Sequence, residues 1–207
     1  VFLNTNLQAL TVDPENSVYD SRENCNAIVL TKDNKLIEAT PVTTIPEGIK
    51  TIGFYAFAMQ PITEVVIPNS VEDIEQEAFY GCAILNKLSL GTSLASIGEN
   101  AFFACNNITE INALATLPPA CFDNTFTSTT YDKATLYVPE AAKDDYAVAS
   151  VWKNFKTLVA GVDGVEAVED AVEIGRYDIY GRQLTHPTQG INIIKLSNGK
   201  SQKVYVK

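Results

Sequence analysis

Histidine is almost missing from this chain: its 207 residues include one, His186. A two-histidine metal site or a histidine-activated nucleophile therefore has almost nothing to draw on. The strings GxGxxG, GxxxxGK, GxSxG, HExxH and CxxC are absent too. The sequence thus announces no phosphate loop, nucleophile elbow, zinc helix or redox pair. Four cysteines (Cys25, Cys82, Cys105 and Cys121) lack zinc-ribbon spacing and are too sparse for a disulfide scaffold. Basic residues number 15 against 25 acidic ones and form no block. A net charge of −10 argues against a surface that tracks nucleic-acid phosphates. No apolar run approaches the ~20 residues needed to span a bilayer. The stretch begins at Val1 without a signal peptide, so its start does not reveal a compartment. No enzymatic activity, cofactor or metal is expected.

What is present is a core and a repeat. The chain is 46% hydrophobic with 11 Gly and 9 Pro, which is globular rather than low-complexity composition. At about 150 residues per domain, the length predicts one domain, or one with a small appendage. Three blocks align: IPEGIKTI at 45–52, IPNSVEDI at 67–74 and LGTSLASI at 90–97. Each is followed by an Ala-Phe pair, and Phe57, Phe79 and Phe102 succeed one another at intervals of 22 and 23 residues. That period falls among leucine-rich repeats.

Between the blocks stands an L-x-x-L-x-L strand signature: ITEVVI at 62–67, LNKLSL at 85–90 and ITEINA at 108–113, with an earlier copy, LQALTV, at 7–12. Its first, fourth and sixth positions point inward. One turn cannot bury its apolar edge alone, whereas stacked turns share a continuous core. The pattern predicts a short single-layer solenoid from about Leu7 to Leu158. Ile49, Ile52, Phe57, Val71, Ile74, Phe79, Leu94, Ile97 and Phe102 should be buried rung on rung.

The run IPNSVEDIEQEAFYGCAILNKLSL resembles the BspA-like leucine-rich repeats of surface proteins from Bacteroides-type bacteria. The segment before Ile45 is similar to a longer repeat of that family with an inserted β-hairpin, and LPPACF…ATLYVPEAAKDDYAVASVWKNF is similar to its closing unit. The resemblance implies a mainly β leucine-rich-repeat solenoid of right-handed stacked turns, with parallel strands and short helical or irregular connections. The expected organisation is a repeat domain over 1–160, with the insertion at about 13–44 and the cap at about 114–158. An acidic linker and a small β module follow over 161–207.

The flanks read sensibly by themselves. Ala27-Ile28-Val29-Leu30 and Lys35-Leu36-Ile37-Glu38-Ala39 predict strands around Asp33-Asn34. Asp13, Glu15, Asn16 and Asp20 cluster, but without the spacing of a calcium loop, so a solvated turn is expected. Pro139 and the acids behind it signal a helix start, with Ala142, Tyr146 and Ala149 on one face. Trp152 and Phe155 are expected to seal the last turn, as a solenoid end requires. In the tail, residues 176–184, 190–196 and 203–207 predict strands, with a type I′ turn at Asn198-Gly199. This tail resembles short carboxy-terminal modules of secreted Bacteroidota proteins. In many relatives it is a sorting signal for the type IX secretion machinery; the alternative is a β cap with no further role.

Cys82 and Cys105 occupy equivalent places in successive repeats, and stacked strands lie ~4.8 Å apart. A disulfide fits that geometry; a ladder of buried free thiols is the favoured reading. His186 is expected in a solvated turn, and the Asn107-Ile108-Thr109 sequon carries little weight in a bacterial protein.

The resemblance implies a non-enzymatic surface or secreted protein that binds host matrix or other surface proteins, acting as a monomer. Stacked strands display columns of side chains, which is how solenoids meet partners. Thr63, Glu64, Asn86, Lys87, Thr109 and Glu110 are the candidate protein-binding face, a mixed polar surface read without aromatics. A structural spacer or accessory subunit is the second expectation; a carbohydrate-binding or enzyme-associated module is the third.

Overall fold

A repeat of 22 or 23 residues buries too little to stand alone, so each turn must close against the next. The computed structural model describes residues 7–161, 173–177, 182–184, 186, 189–196 and 201–206. The chain is mainly β and separates into two compact units, Val1–Gly164 and Val165–Lys207.

In the first unit each repeat gives a strand to two different sheets, which corrects the single-layer expectation. Strands β4 (Thr51–Ile52), β6 (Asp73–Ile74), β8 (Ser96–Ile97) and β10 (Ala120–Cys121) pair in parallel. Strands β5 (Glu64–Val66), β7 (Lys87–Leu90), β9 (Glu110–Ala113), β11 (Thr135–Val138) and β12 (Thr157–Ala160) form a second, five-stranded parallel sheet. The signature strands begin two residues later than their motif. The reason is visible in the ladder: Thr63 O accepts from both Asn86 N–H (2.8 Å) and Lys87 N–H (3.3 Å), so the chain is still turning there. Asn86 O receives Thr109 and Glu110 in the same way.

The hairpin is present and has a use the sequence did not disclose. Strands β1 (Tyr19–Asp20), β2 (Ala27–Leu30) and β3 (Lys35–Ala39) run antiparallel, and β3 then pairs in parallel with β4. The hairpin therefore extends the first sheet to seven strands. Asn34 turns it with φ 48°, a left-handed conformation that asparagine tolerates. Residues 7–12, expected as an earlier strand copy, form no strand. The N–H of Val12 donates to Ser21 Oγ (2.9 Å), which ties this segment to the hairpin rather than to β5.

Between the sheets lies one apolar cluster. Leu36, Ile52, Ile74 and Ile97 stack in register, as do Val65, Leu88, Ile111 and Leu136. All nine residues predicted to repeat in the core are buried. Phe57, Phe79, Phe102 and Phe126 form a column of near-parallel rings, with centroids 4.8, 5.0 and 5.3 Å apart. Phe126 extends the predicted column by one rung.

The closing turn contains an unpredicted helix, α1 (Ser128–Lys133), capped by Thr127, whose side chain accepts from Thr130 N–H. The predicted helix is shorter than its sequence signals, α2 (Lys143–Val148) after a 3₁₀ turn at Glu140–Ala142. Tyr146, Trp152 and Phe155 are buried over the last rungs. The Trp152 Nε1–H donates to Pro119 O at 2.7 Å, so its polar edge is satisfied inside the core.

The second unit is an antiparallel sheet of β13 (Glu173–Tyr177), β14 (Gln183–Leu184), β15 (Gly190–Leu196) and β16 (Ser201–Val206), in the order β14-β13-β15-β16. The strand expected over 176–184 is in fact two strands folded back on each other, Arg176 opposite Leu184. The predicted turn at Asn198-Gly199 and positions 162–170 of the predicted linker lie outside the described residues.

Candidate protein-binding face

Side chains alternate along a strand, so burying Val65, Leu88, Ile111 and Leu136 turns their neighbours outward. Two columns result on the five-stranded sheet. One runs Glu64, Lys87, Glu110, Thr135 and Thr157; the other runs Val66, Ser89, Asn112, Tyr137 and Val159. Of the six residues predicted, Glu64, Lys87 and Glu110 are direct neighbours in the first column. Thr63, Asn86 and Thr109 form a parallel line where the chain enters the strands, each exposed and bonded backbone to backbone.

The charges in the first column are engaged with one another. Lys87 Nζ lies 2.8 Å from Glu110 Oε1, and that oxygen also accepts from Asn112 Nδ2 (2.9 Å). Hydrogen bonding to Glu110 raises the Lys87 ammonium above its ordinary value, helped by the field of Glu64. Hydrogen bonds from Lys87 and Asn112 lower the Glu110 carboxyl correspondingly. The pair is open to water, so its contribution to stability is small.

The second column corrects the reading of this face as free of aromatics. Tyr137 stands between Asn112 and Val159, and both Val66 and Val159 are exposed. The signal was the alternation in Thr135-Leu136-Tyr137-Val138, masked by a closing unit that lacks the L-x-x-L-x-L signature.

The other singled-out residues have structural partners. All four cysteines are free, and Cys25, Cys82 and Cys105 are buried. The Cys82 thiol donates to Phe57 O (3.0 Å) and the Cys105 thiol to Phe79 O (3.1 Å), each reaching back to the preceding ring-bearing residue. Contact with Cys105, and then burial, push the Cys82 thiol far above its ordinary range. Asp13 Oδ1 accepts Glu15 N–H, and Asn16 Oδ1 accepts the N–H groups of Val18 and Tyr19, so these oxygens close turns. Asp20 is held bidentately by Arg22. Asn107 Nδ2 donates to Ala83 O (2.7 Å), and His186 is exposed.

Residues 39–138 match, in six copies, the family described as the BspA type leucine rich repeat region. The segment is a BspA-type leucine-rich repeat region. A leucine rich cell surface protein from Faecalibacterium prausnitzii A2-165 has a similar crystal structure, with a TM-score of 0.53 and 19% identity. The similarity covers 75% of this chain and 42% of that one, and at this identity it concerns the fold. No curated protein matches the sequence. The matched repeats run from the end of β3 to the end of β11, and so include most of the candidate face.

Proposed function

We propose that this chain is a non-enzymatic binding module of a bacterial surface or secreted protein, a leucine-rich-repeat solenoid acting as a monomer. Its partner is a protein, of host matrix or of another cell surface, and it meets the outer face of β5, β7, β9, β11 and β12. The observation carrying this reading is the register: five strands bring two aligned columns of side chains onto one surface. The BspA-type repeats and the cell-surface relative support the location. The carboxy-terminal unit fits the sorting role that its sequence resembles.

With Lys87 and Glu110 already paired, the first column exerts little net pull. Recognition then rests on shape and hydrogen bonds around Tyr137 and Asn112, with modest salt dependence. The test replaces Glu64, Lys87, Glu110 and Tyr137 with alanine and measures retention on immobilised host matrix proteins. Loss of retention by a folded variant supports the face. Unchanged retention moves the interface elsewhere, and no retention of the natural chain on any matrix protein favours the spacer role.

A further inference from the structure

The outer side of the other sheet carries a groove of about 480 Å³. Its floor is formed by Thr51, Asp73 and Ser96, which stand side by side in register on β4, β6 and β8. Phe54 and Phe122 also line it, with exposures of 51% and 52%, and Gln76 completes the polar lining. Both aromatic positions are fixed through their backbone. Phe54 N–H donates to Glu75 Oε2 (2.9 Å), while Lys35 holds Glu75 Oε1 (2.6 Å); Phe122 N–H donates to Thr125 Oγ1 (3.0 Å). Gly98 also lines the groove. A Cβ there would meet the Gln76 backbone nitrogen at 2.4 Å, so close packing of adjacent rungs forbids a side chain.

We propose that this groove binds a neutral oligosaccharide. Half-exposed phenyl rings leave apolar surface in water that the C–H face of a sugar ring can cover. The floor supplies what sugar hydroxyls need: Asp73 as an acceptor already oriented by the Ser96 hydroxyl, the Thr51 hydroxyl, and the Gln76 amide. Lys35 neutralises Glu75, whereas no cation pairs with Asp73 among the described residues. The remaining negative charge disfavours phosphorylated, sulfated or acidic ligands. A basic peptide is the competing occupant: its cations would meet Asp73 and the two rings, but the Thr51 hydroxyl and the Gln76 amide would be left without a role.

The experiment is affinity electrophoresis of the whole chain through native gels cast with soluble arabinoxylan, mixed-linkage β-glucan, galactomannan or dextran, with an oligolysine peptide titrated separately. At least one polysaccharide should retard the chain. Phe54→Ala and Phe122→Ala should each weaken retardation roughly three- to tenfold. Phe54→Leu, which keeps bulk and loses the ring, should weaken it too, with circular dichroism melting as the folding control. Lys87→Ala, on the other sheet, should leave it unchanged, which separates this site from the protein-binding face. The proposal is overturned if no polysaccharide retards the chain, if the phenylalanine variants are retarded like the natural chain, or if oligolysine binds through Asp73 and Phe54 instead.

Discussion

Phe79 stacks on Phe102 with ring centroids 5.0 Å apart and planes 8° apart. Neither ring belongs to a strand; both sit in the irregular third side of the repeat, as the phenylalanine of the Ala-Phe pair. The column continues to Phe57 and Phe126, so one ring touches two rungs at once. Phe79→Ala should therefore cost about 3–5 kcal/mol in urea unfolding, and Phe79→Leu distinctly less. Equal losses for the two variants would mean that ring stacking is not what the column contributes.

A second prediction concerns Gly98 and Gly91, two glycines of the same repeat. A Cβ on Gly98 would lie 2.4 Å from Gln76 N, and one on Gly91 would lie 2.4 Å from Pro68 O. In each case the obstacle is backbone of the preceding rung, which leaves little room to yield. Each alanine variant should lose about 1–3 kcal/mol by denaturant titration. Gly48 has φ 87° but nothing within 4 Å, so a loss at that position would reflect backbone strain alone.

The thiols give a chemical readout. Cys82 and Cys105 are buried and donate to carbonyls, and burial pushes Cys121 up to about 12. Iodoacetamide at neutral pH should leave these three largely unmodified in the folded chain, since the thiolate is the reactive form. Under denaturing conditions, intact mass should show four labels. Two labels with the mass of two hydrogens missing would establish a disulfide instead.

Acid should act on the hairpin. Hydrogen bonding from Arg22 holds the Asp20 carboxyl down to about 2. The folded value is depressed, so the stabilisation is fully present above the ordinary carboxylate value of ~4 and is lost as pH falls towards ~2. Asp20→Asn should flatten the part of the stability curve between those limits, followed by denaturant midpoints across that range. Because the pair is partly solvated, the change should be modest and should shrink in high salt.

Much of this was legible before any coordinates. The Ala-Phe spacing located the ring column, and the Ile positions of the three aligned blocks located the Ile52, Ile74 and Ile97 ladder. The sheet of β4, β6, β8 and β10 was not legible, because strands of two residues such as Asp73–Ile74 are too short to show alternation. Phe126 escaped because Thr125 stands where earlier repeats have alanine. Residues 7–12 misled for the opposite reason: the apolar spacing is right, but pairing needs a neighbouring rung, and Val12 bonds to the hairpin. On the candidate face the charged column could be read from the signature, whereas Tyr137 required knowing that β11 continues the sheet. The Phe54 and Phe122 groove joins residues that the repeat alignment places in non-equivalent positions.

The direction of the ladder has a mechanical consequence. Its backbone bonds run across the strands, from one rung to the next. Tension drawn between residues 7 and 161 would reach these bonds in series, and a terminal rung with one neighbour would give way before an inner rung with two. The repeat unit should therefore lengthen by peeling, about 22 or 23 residues of chain at a step. For a tether under shear, that is a way of lengthening gradually while the inner rungs stay folded.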